Sequence, residues 1–231
     1  MNNTLNNGFM ILEHMANSAE AFSVKEIAEH FQLPNSHACR LLKTLVETGY
    51  IEQDKSRKYR ISLQVLCLSR ACLSRLTVRN KAKAYLYNLL TEAGEEVYLA
   101  VPHHGQALIV DVVTAKASNL DTAMTIGNIN ALHTTACGKL CGAYTHAESE
   151  VVGWPEEAAT IRAQGYVTLH KPGVFAAAAP VFNFTGNFTA AIGAFFSSKK
   201  PEQADCDKLL AKTREAASAL SFALGYMSEY R

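Results

Sequence analysis

The sequence predicts an α+β protein with a helical N-terminal domain and a C-terminal domain that combines helices with an antiparallel sheet. Three observations support this prediction. Apolar residues recur at helical spacing over the first part of the chain. A short polar hairpin is predicted at residues 50–61. Beyond residue 95, β-rich runs separated by turn residues alternate with helical segments.

The composition is that of an ordinary globular protein. The chain has 231 residues, of which 48% are hydrophobic and 19% are charged, and its net charge is +1. So small a net charge excludes a wholly basic protein that wraps nucleic acid, so any DNA contact must come from a local patch. The six cysteines form no Cys-x-x-Cys pair and no Cys/His set with zinc spacing. We therefore expect no metal site, no cofactor and no disulfide framework.

Neither a targeting segment nor a membrane segment is evident. The first eight residues lack the basic and apolar regions of a signal peptide. No stretch reaches the roughly 18 uninterrupted apolar residues of a membrane helix. The cysteine pattern is typical of a reducing compartment. We therefore expect a soluble, cytoplasmic protein that does not contact a membrane.

The first capping signal in the chain predicts a short helix followed by a tight turn. Ser23 and Glu26 have the spacing of a capping box. Pro34 disfavours helical geometry at the residue before it and so fixes the break. Upstream, residues 8–16 are expected to form a further amphipathic helix that packs beneath, and residues 1–7 are expected to be loose.

The segment from Asn35 to Gly49 predicts a second helix with an apolar side and a polar side. Asn35 or Ser36 is expected to cap this helix, and Gly49 to end it. The inward positions are Ala38, Leu41, Leu42, Leu45 and Val46. The outward positions are Ser36, His37, Arg40, Lys43, Thr44 and Glu47. Two short helices with so small a turn are typical of a helix-turn-helix.

A basic hairpin follows this helix. Its tip and returning strand carry four cations, Lys55, Arg57, Lys58 and Arg60. Next to a recognition helix, such a hairpin is a wing that contacts phosphate while the helix enters the major groove. The simpler alternatives are a helical hairpin with a solvated polar face and a solvated charged turn. The combination of helix pair and basic hairpin favours DNA binding.

The predicted domains are residues 1–62, a linker helix at 63–76, and residues 77–231. The linker helix is too apolar to be free, so we expect it to pack on a second copy or on the next domain. The C-terminal domain is predicted to contain strands at 96–101, 107–113, 121–126, 173–182 and 188–196, and helices at 77–94, 133–144, 155–165 and 201–226. Its many alanines and glycines predict a cavity beside the sheet. The segment from His133 to Lys139 predicts either an anion-binding helix start or a capped, tightly packed one.

The segment from Ser23 to Ile51 resembles the winged helix-turn-helix of the IclR family of bacterial transcriptional regulators. The similarity continues through the linker helix, residues 132–139, residues 165–166 and residues 173–181, and so covers nearly the whole chain. The resemblance implies a dimer or a dimer of dimers that binds a palindromic operator in double-stranded DNA. It also implies a GAF-like domain that senses a small metabolite, often an organic acid. We therefore expect a repressor of a metabolic operon.

The polar surfaces of the helix and the wing supply the expected DNA contacts. We expect bases and backbone to be contacted by Asn35, Ser36, His37, Arg40, Lys43 and Thr44. Arg40 is the best candidate for a bidentate contact to guanine. Phosphates are expected to be bound by Lys55, Arg57, Lys58 and Arg60.

The resemblance also implies a set of effector-binding residues. By position, the pocket would be lined by Met124, Ala136, Cys137, Gly138, Ala176, Gly193 and Phe195, with His170 and Lys171 nearby as sources of positive charge. Polar groups that the family usually places there are largely replaced, since Ala176 stands where cysteine is common. Gly193 and Phe195 stand at the positions of a pair of serines. Either the effector is a different compound or the pocket has lost its ligand.

Two other hypotheses are consistent with parts of the sequence. In a thiol enzyme, Cys137 would be the nucleophile, with its pKa lowered at a helix start, and His133 the base. That hypothesis lacks an orienting carboxylate and does not explain the wing. In the second hypothesis, the chain is a DNA-binding protein that responds to no effector.

Overall fold

The computed structural model describes residues 2–114, 125–145, 154–198 and 202–227. The chain divides into two compact units, Met1–Arg75 and Leu76–Arg231. The first is mainly helical and the second contains a six-stranded antiparallel sheet, so the predicted α+β class is confirmed. The linker helix belongs to the first unit by its contacts.

The N-terminal unit consists of four helices and one hairpin. Its elements are α1 (Asn3–Ala16), α2 (Val24–His30), α3 (Asn35–Glu47), β1 (Ile51–Gln53), β2 (Tyr59–Ile61) and α4 (Gln64–Arg75). The first helix includes residues that were expected to be loose, because the side chain of Asn2 accepts a hydrogen bond from the Leu5 N–H at 3.2 Å and caps it.

The capping box of α2 is confirmed, whereas the predicted cap of α3 is wrong. Ser23 Oγ accepts from the Glu26 N–H at 3.2 Å, and Glu26 Oε2 accepts from the Ser23 N–H at 2.6 Å. At α3 the cap position is taken by Pro34, and no side chain bonds the first turn. Asn35 and Ser36 therefore lie inside the first turn, with exposed side chains.

The core of the N-terminal unit forms between α1, α2, α3 and the hairpin. It contains Ile11, Met15, Ile27, Ala28, Ala38, Leu41, Leu42, Ile51 and Tyr59. The predicted inward side of α3 is confirmed, with Leu45 and Val46 half-buried at its edge. Backbone bonds between Phe22 and Tyr59, at 2.7 and 2.8 Å, tie the loop after α1 to the hairpin. This pairing fixes the base of the hairpin against the helices.

In its described residues, the C-terminal unit contains four helices around its sheet. Its elements are α5 (Thr77–Glu92), β3 (Glu96–His103), β4 (Gln106–Thr114), β5 (Ile129–Asn130), α6 (Ala136–Thr145), α7 (Pro155–Gln164), β6 (Val167–Lys171), β7 (Val174–Phe182), β8 (Phe188–Ser197) and α8 (Gln203–Ala223). The strand order is β5-β4-β3-β8-β7-β6. The strands predicted at 96–101 and 107–113, and those predicted at 173–182 and 188–196, pair as two antiparallel hairpins. The first turns through His104 and Gly105, which have φ of 45° and 72°.

Two strands differ from the sequence-based expectation. The edge strand β6 was not predicted, because its Val-Thr-Leu-His-Lys sequence is short and largely polar. The strand expected at 121–126 falls mostly on residues 121–124, which lie outside the described residues. At that edge of the sheet β4 pairs with β5, in register Ala107↔Asn130 and Leu108↔Ile129.

The two faces of the sheet carry different helices. Directly paired residues share a face, so Tyr98, Gly193 and Ala178 lie side by side on one of them. That face packs against α6, since Tyr98 and Ala178 share a buried cluster with Cys137. Ala179, the next residue along β7, lies on the opposite face beside α8.

Candidate DNA interface and effector site

The outward face of α3 presents nearly all of its predicted DNA contacts to solvent. Asn35, Ser36, Arg40, Lys43 and Thr44 are exposed. In the part of the chain that the structure describes, Arg40 makes no ion pair. Lys43 Nζ lies 3.8 Å from Glu47 Oε1, but both side chains are mostly exposed, so this pair is weak. Arg40 and Lys43 therefore remain available to a partner.

His37 differs from its neighbours on α3. Its side chain is half-buried, and its Nε2 atom is buried with no hydrogen-bond partner among the described residues. Of the six predicted residues on this helix, His37 packs most closely against its own unit.

The four cations of the wing fall into two pairs. Arg60 Nη2 lies 2.6 Å from Glu52 Oε1, and Lys58 Nζ lies 3.8 Å from Glu26 Oε1. Lys55 and Arg57, at the tip, are exposed and have no ion pair within residues 2–75. The uncompensated positive charge of the hairpin is thus concentrated at its tip.

Asp54 builds the tip of the wing, a role that we did not predict. Its Oδ1 accepts hydrogen bonds from the Ser56 N–H at 2.8 Å and the Lys58 N–H at 2.9 Å. The Arg57 N–H donates to the Asp54 carbonyl at 3.0 Å, and Arg57 has a φ of 64°. An aspartate before Lys-Ser-Arg in a hairpin is the signal for this Asx turn.

Glu26 links the wing to the helix pair. Hydrogen bonds from the Ser23 backbone and side chain hold the pKa of Glu26 below its usual value, and Lys58 adds to this effect. Lys58 is half-buried. Its contact with Glu26 joins β2 to the start of α2, so Lys58 orients the hairpin as well as adding charge.

The linker helix α4 has no buried residue in the described structure. On this helix Leu66 and Leu68 are 61% and 58% exposed, and Leu63, immediately before it, is 80% exposed. Exposed apolar side chains clustered on one helix mark a surface that binds a partner. This surface is compatible with the expected packing on a second copy.

The residues expected to line the effector pocket are mostly core residues. Ala136, Cys137, Gly138 and Gly193 are buried. Ala176 and Phe195 are half-buried and pair across β7 and β8. Met124 lies outside the described residues. The structure therefore brings six of these residues to one face of the sheet and buries four of them.

The side chain of Tyr98 fills the space beside Gly193. A Cβ atom at Gly193 would lie 2.4 Å from Tyr98 Cζ, 2.6 Å from its hydroxyl oxygen and 2.7 Å from Cys137 Sγ. Tyr98 is 1% exposed. The small residues of β8 were expected to leave a cavity, but at this position they accommodate a tyrosine from β3. No signal in the sequence placed Tyr98 on this face.

The chemistry of Cys137 contradicts the thiol-enzyme hypothesis. Burial raises the pKa of Cys137 well above its usual value, and Cys141 adds to the shift. The thiol lies 3.7 Å from the Ala191 carbonyl, to which it donates. The expected base, His133, is exposed. The expectation of a lowered pKa was wrong because burial of the thiol outweighs the helix start.

The two basic candidates lie on opposite faces of the sheet. His170 pairs with Phe175, and their ring centroids are 4.7 Å apart. Because Phe175 precedes Ala176 on β7, this contact is on the face away from Tyr98. Lys171 lies on the Tyr98 face, where its Nζ donates to the Thr134 carbonyl at 3.1 Å. His170 is therefore separated from the other effector candidates.

Glu96 is a buried carboxyl on the Tyr98 face that we did not predict as a site residue. It pairs with Phe195 and is 4% exposed. Its Oε1 has no hydrogen-bond partner in the described residues, and burial raises its pKa. Burial therefore favours the neutral, protonated form of Glu96 on this face of the sheet.

The start of α6 is packed and capped. Thr135 Oγ1 accepts from the Gly138 N–H at 3.0 Å. A Cβ atom at Gly138 would lie 2.8 Å from the Ala131 carbonyl oxygen. Lys139 is paired with Glu157. Of the two alternatives for this segment, the geometry favours the capped, tightly packed helix.

The described residues form neither a metal-binding group nor a membrane-spanning helix. Among those residues, no group of three or more His, Cys, Asp or Glu side chains is placed to hold a metal ion. In residues 2–114, 125–145, 154–198 and 202–227, no helix is long and apolar enough to cross a membrane.

Comparison with known proteins gives the same family for both units. The IclR helix-turn-helix domain matches residues 4–55, and the bacterial transcriptional regulator IclR C-terminal domain matches residues 70–160 and 150–222. The glycerol operon regulatory protein of Streptomyces griseus is 26% identical over 93% of this chain and 93% of its own length. The regulator XynR of Escherichia coli is 26% identical over 94% of each chain.

A solved structure agrees with these matches. The crystal structure of Pseudomonas aeruginosa HmgR superposes with a TM-score of 0.72 and 28% identity, and covers 97% of this chain and 100% of that one. Together with the helix-turn-helix, the basic wing and the antiparallel C-terminal sheet, these matches show that the chain belongs to the IclR family of bacterial transcriptional regulators.

Proposed function

We propose that this protein represses a metabolic operon by binding a palindromic operator in double-stranded DNA. The observation that carries the proposal is the exposed polar face of α3, with Arg40 free of ion pairs among the described residues, next to an uncompensated cationic wing tip in the same unit. Chromosomal DNA is the partner, so the protein acts in the cytoplasm. A relative named as the repressor AllR supports repression, and one named as a glycerol operon regulatory protein supports a metabolic operon as the target.

Contacts from α3 read the bases, and contacts from the wing hold the phosphates. Arg40 donates two hydrogen bonds to one guanine, a pairing worth about 1–3 kcal/mol of discrimination. Asn35, Ser36, Lys43 and Thr44 contact neighbouring bases and backbone. Lys55 and Arg57 bind phosphate directly, whereas Lys58 and Arg60 first exchange their carboxylate partners for phosphate.

The operator-binding form is a dimer or a dimer of dimers. The exposed leucines of α4 supply an apolar surface for a second copy. Two recognition helices then lie about 34 Å apart, one turn of the duplex, and read two half-sites. This geometry requires a palindromic site.

A small metabolite bound by the C-terminal unit changes the spacing of the two recognition helices. A structural neighbour from Microbacterium hydrocarbonoxydans was solved in complex with 4-hydroxybenzoate, which supports a small-molecule ligand for this fold. A second candidate function is operator binding without an effector. It is favoured by Tyr98, which fills the space beside Gly193.

Selection of bound duplexes from a random DNA pool tests the proposal. We expect the purified full-length protein to enrich a palindrome with two half-sites about ten base pairs, or a multiple of ten, apart. If successive rounds enrich no sequence, the protein is not an operator-binding regulator. Addition of metabolites to the bound pool then separates the effector-controlled protein from the effector-independent one.

A further inference from the structure

We propose that Glu26 and Glu52 are specificity-determining residues, which hold two cations of the wing on nonspecific DNA and release them to phosphate when the operator is bound. The inference rests on the proposed function, since it concerns the same DNA interface. Neither carboxylate was among the residues predicted to bind DNA.

Half of the six cations predicted to contact DNA have a carboxylate partner. The pairs, at 3.8, 3.8 and 2.6 Å, are Lys43 with Glu47, Lys58 with Glu26, and Arg60 with Glu52. The cations that form no ion pair within residues 2–75 are Arg40, Lys55 and Arg57. The three carboxylates come from α2, α3 and β1, and two of them compensate cations of the wing.

The contact between Glu52 and Arg60 is built into the hairpin. The two residues are directly opposite each other in the register of β1 and β2. Their neighbours Ile51 and Tyr59 are buried, so the two charged side chains lie on the solvent side of the hairpin. Glu52 Oε1 accepts a hydrogen bond from Arg60 Nε at 2.7 Å and lies 2.6 Å from Arg60 Nη2. One carboxylate oxygen therefore occupies two guanidinium nitrogens that phosphate would otherwise bind.

The contact between Glu26 and Lys58 joins the wing to α2. Glu26 Oε2 accepts a hydrogen bond from the Ser23 N–H at 2.6 Å, whereas its Oε1 lies 3.8 Å from Lys58 Nζ. Because Ser23 bonds one oxygen and Lys58 contacts the other, the carboxylate remains at this position when Lys58 moves away. The hydrogen bonds from Ser23 also hold the pKa of Glu26 below its usual value, so this group is charged at neutral pH.

The main cost of releasing these cations arises at the DNA surface. The four side chains are between 44% and 61% exposed, so the ion pairs themselves contribute little to folding stability. A cation that moves to phosphate, however, leaves its carboxylate unpaired beside the negative DNA backbone, and like charges across an interface are unfavourable. Release is therefore favourable only where a phosphate is held close enough to bind the cation directly.

Operator and nonspecific DNA differ in how closely they are held. Base contacts from α3 hold the operator in one register, with its phosphates beside the wing. A nonspecific duplex lacks these contacts and is bound by electrostatic attraction to the backbone. We therefore expect Lys58 and Arg60 to bind phosphate in the operator complex and to stay with their carboxylates on nonspecific DNA. Glu26 and Glu52 thereby weaken binding to other sequences more than binding to the operator.

The affinities of Glu52→Gln for the selected operator and for a scrambled duplex of equal length test this inference. Fluorescence anisotropy of the full-length protein over a range of salt concentrations measures both. We expect the affinity for the scrambled duplex to rise about three- to tenfold, and that for the operator by less than about twofold. Because one more cation is free to displace counterions, the slope of log K against log salt for the scrambled duplex should become steeper by about 0.9.

Glu26→Gln provides a second variant that removes the charge and keeps the local fold. Glutamine also satisfies a capping box at this position, so α2 should retain its cap. We expect the affinity of this variant for the scrambled duplex to change in the same direction. Both variants should melt near the wild-type temperature, since exposed ion pairs contribute little to stability. Glu156→Gln, an equal change of charge at an exposed position in the C-terminal unit, should leave both affinities unchanged.

Removal of the cation shows whether Glu52 acts through Arg60. In an Arg60→Gln background, Glu52→Gln should leave the affinity for the scrambled duplex unchanged. An equal gain in both backgrounds would assign the effect to net charge alone and overturn the inference. Equal gains for the operator and the scrambled duplex, or wild-type affinities in both single variants, would also overturn it while the proposed DNA-binding function stands. A wild-type protein that binds no duplex would overturn the proposed function and the inference with it.

Discussion

The two units place their candidate functional residues in opposite environments. In the N-terminal unit the predicted contact residues of α3 and the wing are mostly exposed, and their positions follow from local helix and hairpin geometry. In the C-terminal unit four of the residues expected to bind an effector are buried, packed around Tyr98. Residues predicted to bind from their positions in the sequence thus lie on an exposed surface in the N-terminal unit and mostly in a packed core in the C-terminal unit. A binding surface needs only exposed side chains, whereas a pocket needs space that other side chains leave empty.

The largest effect is expected from Leu66→Glu, which tests whether the exposed surface of the N-terminal unit extends to α4. A charge in an apolar interface should prevent association, and loss of two-site binding should weaken operator affinity about 100-fold or more. Light scattering and fluorescence anisotropy measure the two effects. Gln64→Glu, an exposed change of equal charge on the same helix, is the control. An unchanged mass would show that α4 does not form the interface.

The next effect tests the packed region. Gly193→Ala should destabilise the C-terminal unit by about 1–3 kcal/mol, because the new methyl group overlaps Tyr98 and Cys137. The melting temperature should fall by several degrees. Adding Tyr98→Ala should relieve the overlap, so the double variant should lose less stability than the sum of the two single ones. A single variant as stable as the wild type would mean that Tyr98 does not fill this space.

Arg57→Gly separates folding from DNA binding in the wing. The positive φ of Arg57 is a conformation that costs an L-residue roughly 1–2 kcal/mol. Glycine avoids this cost, but it loses more conformational entropy on folding than arginine does, and this loss offsets the gain. The free energy of unfolding should therefore change by less than about 1 kcal/mol. Operator affinity should fall, and the slope of log K against log salt should decrease by about 1. An unchanged slope would remove Arg57 from the phosphate contacts.

The smallest effect concerns the buried carboxyl of the C-terminal unit. Burial raises the pKa of Glu96, so the protonated form stabilises the folded state, and this stability is lost as pH rises through the folded-state pKa. Glu96→Gln, neutral at every pH, should raise the melting temperature by about 2–4 °C at pH 8 and by much less near pH 5. Glu20→Gln, at an exposed position, is the control. An equal gain at both pH values would contradict the assignment.

Features that depend on a few neighbouring residues were predicted well from the sequence. The capping box at Ser23, the helix predicted from residue 155 and the turn between the strands predicted at 96–101 and 107–113 each follow from the conformational preference of a few neighbouring residues. The cap of α3 was an exception. Asn35 is a residue type that favours the cap position, but Pro34, with φ of -57° and ψ of 138°, occupies that position in the structure.

Features that join distant parts of the chain could not be predicted. Residues 96–100 of β3 are all buried, so no polar and apolar alternation shows which side chains face α6. Tyr98 therefore gave no sign that it meets Gly193. The contact between Lys58 and Glu26, which compensates one wing cation, likewise forms only when β2 and α2 come together.

The affinity of Arg40→Ala for the selected operator tests the central claim, that the exposed face of α3 reads DNA sequence. By fluorescence anisotropy at fixed salt, we expect the variant to bind about 5- to 150-fold more weakly, with its affinity for a scrambled duplex nearly unchanged and its melting temperature that of the wild type. Lys83→Ala, in the C-terminal unit, should bind the operator as the wild type does. Equal operator affinities for Arg40→Ala and the wild type would contradict the claim.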